Sequence, residues 1–201
     1  MNIRDQIKKI IKSKTLNECW SLATSLDRYL EDGGYEALRD RKNLRDRIKS
    51  LEAEVHHDPL TGCYNRKQFE EDYRKLIYKI ERYGASYTLF LIDLDGFKQL
   101  NDTHGHQSGD EILKKFTRII KQNIRLSDRL YRFGGDEFIL VLRAEDRPHM
   151  MEKIKYLQKV VTPIKFSYGQ QTIYSGVSLD QILKKADTVM YEQKRSKQNK
   201  T

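Results

Sequence analysis

Cysteine is scarce in this chain: Cys19 and Cys63 are the only two in 201 residues. They form neither a C-x-x-C pair nor a zinc-ligand spacing, which excludes a dithiol or structural-zinc centre. In a reducing compartment both are expected to pack as small apolar side chains. Long apolar runs are also missing. The longest, Leu89-Phe90-Leu91-Ile92 and Phe138-Ile139-Leu140-Val141-Leu142, are the size of strands and far too short to cross a bilayer. The first residues, Met1-Asn2-Ile3-Arg4-Asp5, lack the apolar segment of a secretory leader. The expectation is a cytoplasmic protein with no membrane span. There is no internal repeat and no low-complexity segment. No basic–aromatic interleaving or groove-reading helix points to nucleic acid. Residues 1–55 contain no haem, flavin or phosphoacceptor motif.

What the chain has is charge. Charged residues make up 33% of it, and 38 Lys and Arg against 29 Asp and Glu leave a net charge of +9. Such a balance suits nucleic acid, an acidic membrane surface or phosphorylated small molecules. The excess is uneven. Residues 1–57 carry 12 basic against 10 acidic side chains, while residues 184–201 carry 6 against 2. This tail either meets phosphates or is a solvated chain end. Hydrophobic residues, at 38%, suffice for a packed core.

Residues 1–55 read as helical. Ile3, Ile7, Ile10 and Ile11 recur at helical spacing, as do Leu16, Cys19, Trp20, Ala23, Leu26 and Leu30. Gly33-Gly34 interrupts them, and a charged helix follows from Tyr35 to Val55. Leu44, Ile48, Leu51 and Val55 form a short heptad seam, which favours pairing with a second helix in a dimer over packing on the helix's own domain. Asp58-Pro59-Leu60-Thr61-Gly62 marks a boundary, giving a helical segment over 1–55 and a second domain over 56–201. In that domain the pattern predicts a helix at 65–83, a strand at 87–94 and a helix at 107–124. A hairpin at 129–142, a helix at 147–160, a strand at 164–168 and a helix at 179–195 follow. The lack of strict βαβ alternation and the central hairpin predict an α+β fold with a partly antiparallel sheet.

Two short segments carry the chemistry. The strand Thr88-Leu89-Phe90-Leu91-Ile92 runs directly into Asp93-Leu94-Asp95. Residues two apart on a strand share a face, so Asp93 and Asp95 bring two carboxylates to one sheet edge, where a hard divalent cation is well held. An isolated D-x-D more often caps the next turn. The hairpin turns at Gly134-Gly135, glycines that allow positive φ and close approach of a ligand. Asp136 and Glu137 follow at once, and such neighbours repel unless a proton or cation relieves them. Taken together, Asp93 and Asp136-Glu137 could share two metals about 3.5–4 Å apart, the clamp used for phosphoryl displacement. Lys98 stands near enough in sequence to neutralise developing phosphate charge.

Gly134-Gly135-Asp136-Glu137-Phe138 resembles the signature of the GGDEF-domain diguanylate cyclases. The likeness extends in order along the chain. Asp58-Pro59-Leu60-Thr61-Gly62-Cys63-Tyr64-Asn65-Arg66 is similar to the family's opening motif. Ile92-Asp93-Leu94-Asp95-Gly96-Phe97-Lys98-Gln99-Leu100-Asn101-Asp102 and Gly105-His106-Gln107-Ser108-Gly109-Asp110 resemble the next two. Ser167-Tyr168-Gly169 and Ala186-Asp187 through Tyr191 and Lys194 resemble the C-terminal ones.

This resemblance implies a palm-like nucleotidyl-cyclase domain, a mixed sheet flanked by helices, that condenses two GTP into cyclic di-GMP as a homodimer. It implies Asp93, the Leu94 carbonyl and Asp136 as ligands of Mg²⁺ or Mn²⁺, two ions per active site of the assembled dimer. Asp136 or Glu137 would help activate the attacking 3′-hydroxyl and Lys98 would steady the triphosphate. Asn101 and Asp110 would read guanine, with Phe97 and His106 in the same substrate segment. Gly134 and Gly135 would let the nucleotide lie against backbone, and Lys194 would touch phosphate. Independently of the resemblance, a carboxylate at Asp110 can accept both adjacent donors of guanine, a pair that adenine lacks; Asp110 could equally cap the helix after it.

Arg125-Leu126-Ser127-Asp128 matches the family's R-x-x-D, implying a site where cyclic di-GMP inhibits. The family usually has a small residue and then a basic one after the final-helix lysine. Here the run is Lys194-Arg195-Ser196-Lys197-Gln198, with Arg195 and Lys197 as the neighbouring cations, and the stretch from Asp146 to Leu179 is short. The competing readings are an inactive receptor for cyclic di-GMP and a nucleic-acid or membrane-surface binder that uses the basic tail. Residues 1–55 are also the place where a sensor protein would dock.

Overall fold

The computed structural model describes residues 35–143 and 147–198, with backbone only for 35–40, 52–54, 147–150 and 198. The helical expectation for residues 1–34 lies outside the described residues. The chain divides into two compact units, residues 1–56 and 57–201.

In the first unit, helix α1 spans Tyr35–His56. Its seam residues Leu44, Ile48 and Leu51 are 1%, 6% and 4% exposed in the single chain.

The second unit begins with strand β1 (Tyr64–Asn65) and helix α2 (Arg66–Tyr83). Strand β2 (Tyr87–Leu94) leads into helices α3 (Phe97–His104) and α4 (His106–Gln122). Strands β3 (Arg129–Gly134) and β4 (Glu137–Arg143) form the hairpin. Helix α5 (Arg147–Val160), strand β5 (Phe166–Ile173) and helix α6 (Leu179–Gln198) complete it. The sheet order is β1-β3-β4-β2-β5. Only the β1–β3 pairing is parallel, so the sheet is mixed and the fold is α+β, a five-stranded sheet flanked by helices.

Alternation along β2 and β4 builds two cores. Phe90, Ile92, Leu94, Phe138 and Leu140 point to one face and meet Leu113, Phe116 and Ile120 of α4 and Ile154 and Leu157 of α5. Leu89, Leu91, Ile139 and Val141 point to the other and meet Phe69 and Tyr73 of α2 and Ile182, Ala186 and Met190 of α6. A charged link ties α2 to the sheet: the Tyr131 hydroxyl donates to Asp72 at 3.0 Å, and Gln68 donates to the same carboxylate at 2.9 Å. On the second face α6 comes very close to β5. A Cβ on Gly169 would lie 1.7 Å from the Ala186 carbonyl oxygen, so only glycine permits this approach.

Three elements differ from the sequence reading. Residues Phe97–His104 form a helix of their own, and β1 is a two-residue strand. Strand β5 continues to Ile173, paired with β2 along its whole length. It lies at the sheet edge, where Gln170, Gln171 and Thr172 are tolerated because one side faces solvent.

Candidate active site

The sheet brings the two acidic segments together. Asp93 is the cross-strand partner of Glu137, so the two side chains leave the same face at adjacent strand ends. Asp136 precedes Glu137 at the hairpin turn, and its carbonyl accepts the Leu94 amide at 3.4 Å. Gly135 has φ +46°, the left-handed conformation the tight turn requires.

Burial, and after it the facing Asp93 carboxylate, push the Asp136 carboxyl upward. Burial, then Asp93 and Asp136, do the same to Glu137, and Asp187 on α6 adds to it. Excess negative charge at this corner is only partly met by Lys194 of α6, whose ammonium sits 2.6 Å from Asp93. Such a donor set fits a hard divalent cation. Among the described residues no three His, Cys, Asp or Glu are grouped so as to hold a metal ion by themselves.

An acid with a raised folded pKa costs stability as pH rises from its unfolded value, near 4.3 for Glu, through the folded one, and the cost is complete above that. Removing one of the crowded charges should therefore stabilise the metal-free protein. Glu137→Gln is expected to melt above the parent at pH 7, by about 1–2 °C, because solvent around this half-exposed group screens much of the repulsion. Below about pH 4 the two should melt together. Calorimetry in chelator at both pH values checks this, and a lower melting point at pH 7 would refute the charge-crowding account.

The D-x-D pair divides. Asp95 does not cap the turn; its Oδ1 accepts the Ser167 hydroxyl at 2.6 Å and its Oδ2 accepts Lys197 at 2.8 Å. Helix α3 starts instead from Gly96, with no side-chain cap. Lys98 is exposed on α3, and His106 is exposed at the start of α4. Phe97 packs against the core. Asn101 is half-buried, and its Oδ1 is buried without a hydrogen-bond partner. Asp110 lies inside α4, whose N-cap is Gly105, so it is not the helix cap. Gly109 lets the two helices close on each other, since a Cβ there would fall 2.0 Å from Asn101 Oδ1. An orphaned acceptor beside a carboxylate one turn along the adjoining helix is a fitting reader of a base with adjacent donors. A cleft of about 810 Å³ opens beside the acids, lined by Asp93, Asp95, Gly96, Lys165, Lys194 and Lys197 among others.

Sequence reasoning missed Arg132. Its Nε donates to the Gly135 carbonyl at 2.9 Å, and its other nitrogen donates to Asp58 Oδ1 at 3.0 Å. Burial alone would raise Asp58, but donation from the Thr61 hydroxyl and amide and from Arg132 outweighs it and holds the carboxyl low. The Asp58-Pro59-Leu60-Thr61-Gly62 segment thus braces the hairpin turn. Cys63 is buried, and burial pushes its thiol up, as suits a packing residue.

The R-x-x-D segment lies at the other end of the hairpin. Asp128 Oδ2 accepts the Arg125 amide at 3.0 Å and Oδ1 accepts the Arg143 amide at 3.3 Å, while Arg125 is exposed. Some six strand residues, about 20 Å at ~3.3 Å each, separate it from Asp136.

Residues 55–200 match the family model described as "Diguanylate cyclase, GGDEF domain". Among curated proteins the chain is 30% identical over 158 residues to the diguanylate cyclase DgcS of Shewanella oneidensis, covering 75% of this chain and 53% of the relative. It is 32% identical over 159 residues to the diguanylate cyclase DosC of Escherichia coli, covering 73% and 35%. The chain thus spans about half or less of the length of these relatives. Among solved structures it is similar to the diguanylate cyclase SiaD of Pseudomonas aeruginosa, solved in complex with its activator SiaC. The TM-score is 0.69 at 29% identity, covering 96% of this chain and 78% of that one. The coiled coil and GGDEF domain of DgcB from Caulobacter crescentus, in complex with c-di-GMP, gives a TM-score of 0.72 at 25% identity, covering 86% and 95%. The family match over 55–200, together with the glycine turn and the acids gathered at Asp93, Asp136 and Glu137, leads to one conclusion: the chain belongs to the GGDEF-domain family.

Proposed function

We propose that this chain is a diguanylate cyclase that condenses two GTP molecules into cyclic di-GMP and two pyrophosphates. The observation that carries this reading is the meeting of Asp93 with Asp136-Glu137 at one strand edge, beside Lys194 and an open cleft. Each 3′-hydroxyl gives up its proton and forms a bond to the α-phosphorus of the other GTP. The bond from that phosphorus to the β-phosphate bridging oxygen breaks, and pyrophosphate leaves with the electron pair.

Asp93, Asp136 and the Leu94 carbonyl would hold Mg²⁺ or Mn²⁺, which supplies charge neutralisation at the reacting phosphate. Asp136 or Glu137 would help to accept the 3′-hydroxyl proton. Lys194 and Lys98 balance charge on the leaving pyrophosphate. Asn101 and Asp110 read guanine, with Phe97 and His106 beside them, and Gly134 and Gly135 keep the turn open to the nucleotide. With one such set per chain, two chains must face each other across a two-fold axis. Residues 35–55, with the Leu44, Ile48, Leu51 and Val55 seam on α1, would help to make that dimer. The likeness to SiaD, solved with its activator, supports residues 1–55 as the place where a sensor or activator protein acts.

GTP labelled on the α-phosphate tests the proposal. The label should appear in the cyclic product, and label on the γ-phosphate should appear in pyrophosphate. α-Label that stays in a mononucleotide would refute it.

The exposed Arg125 supports a product-binding site remote from the acids, where planar guanidinium groups recognise guanine edges and phosphates. Arg125→Ala should leave initial rates within about twofold of the parent while raising the inhibitory concentration of added cyclic di-GMP about tenfold, the loss of one good bidentate contact. Equal inhibition of both proteins would remove Arg125 from the account.

A further inference from the structure

The end of α6 carries two lysines, three residues apart, that meet two acids, two residues apart, at the end of β2. Lys194 pairs with Asp93 at 2.6 Å and Lys197 with Asp95 at 2.8 Å. Residues three apart on a helix share a face, as do residues two apart at a strand end, so the ladder follows from both periods.

The two rungs differ in kind. The Lys197 ammonium reaches Asp95 Oδ2 at 2.8 Å, the Phe166 carbonyl at 2.9 Å and Ser167 Oγ at 2.9 Å. An ammonium has three donors, and these three partners use them all. Ser167 is fully buried and passes its own proton to Asp95 Oδ1 at 2.6 Å, which closes a ring of hydrogen bonds. Asp95 is fixed in turn by its amide, which donates to the Lys165 carbonyl at 3.0 Å. Both lysines line the cleft, but Lys194 pairs with a carboxylate of the crowded acidic corner, whereas the Lys197 ammonium is held within the ring.

Lys194 and Lys197 stand about one turn apart on α6, so fixing one constrains the other. Resting on the reading of the cleft as a nucleoside triphosphate site, we propose that Lys197 is a positioning residue. It pins the last turn of α6 to β2 and β5 through Asp95 and Ser167, and so holds Lys194 where the polyphosphate of the nucleotide lies. Lys197 itself does not touch phosphate.

The test is isothermal titration of the full chain with GTP and with GMP, both in Mg²⁺. Lys197→Met should weaken GTP about tenfold and GMP less than twofold, because GMP lacks the phosphates Lys194 meets. In an Asp95→Ala, Ser167→Ala background the side-chain acceptors of the anchor are removed, so Lys197→Met should weaken GTP by less than a further twofold. GTP affinity within twofold of the parent in Lys197→Met overturns the proposal. A full tenfold loss that persists in the Asp95→Ala, Ser167→Ala background also overturns it, since Lys197 would then act on phosphate directly. If thermal melting shows Lys197→Met unfolded at the assay temperature, Ser167→Ala takes its place. A two- to fourfold loss for GTP alone supports the anchor, and none refutes it. A parent protein that binds GTP no better than GMP sinks the triphosphate reading as well, whereas failure of the variants alone sinks only the anchor.

Discussion

Asp93→Ala and Glu137→Ala should each lower the rate of cyclic di-GMP formation by about 10³-fold or more, with the fold intact. Charge stabilisation at a reacting phosphate contributes several kcal/mol, and each 1.36 kcal/mol is about tenfold in rate. Neither side chain belongs to the two cores, which end at Leu91 and Ile139 on this face of the sheet. Asp93→Ala also leaves Lys194 without its 2.6 Å partner, while the Lys197 contacts to Asp95, Phe166 and Ser167 remain. Near-UV circular dichroism should therefore match the parent. Chromatographic rates within tenfold of the parent, from either folded variant, would contradict the assignment of the acidic corner.

Asp110→Ser should remove most of the preference for GTP over ATP. A buried site built to pair with a base's donors rejects the analogue lacking them by roughly 10⁴–10⁵. Asn101 has a buried unpartnered oxygen, and Gly109, one residue before Asp110, permits the close approach of α3 and α4 on which this reading rests. Serine keeps an acceptor but loses the paired carboxylate oxygens, so the variant should form mixed dinucleotide from equimolar GTP and ATP at a tenth or more of the rate of cyclic di-GMP. The parent should form almost none. Free production of the mixed dinucleotide by the parent would show that Asp110 does not read the base.

How much of this was legible depends on the length of the signal. Strand β2 and the hairpin were readable because apolar runs end abruptly in acids or glycines, and helix α5 was read at 147–160, where the structure has it. Helix α3 was not. Its eight residues include no buried one, and its N-cap Gly96 offers no side chain, so neither periodicity nor a capping residue marks it. Strand β1 has only two residues, too few to show alternation. The end of β5 looked like a loop because Gln170, Gln171 and Thr172 are polar, and only its pairing with β2 makes it a strand.

Within the site, Asp93, Asp136 and Glu137 stood out as charged residues following apolar strands. Arg132 did not, and Lys197 was legible only as a cation that could compensate for Gln198, because their partners lie 74 and 102 residues away and no local pattern records such contacts. The heptad seam gave an ambiguous signal for a physical reason. Apolar residues at that spacing pack equally well against a partner chain or against the chain itself, and Leu44, Ile48 and Leu51 are buried within the single chain.

The most direct measurement is anion-exchange chromatography of the purified protein incubated with GTP and Mg²⁺. The proposed cyclase should consume GTP and yield cyclic di-GMP with two pyrophosphates for each product, at a specific activity that rises with protein concentration. GTP left intact by a folded protein that nonetheless binds added cyclic di-GMP would contradict the account and make the chain a receptor.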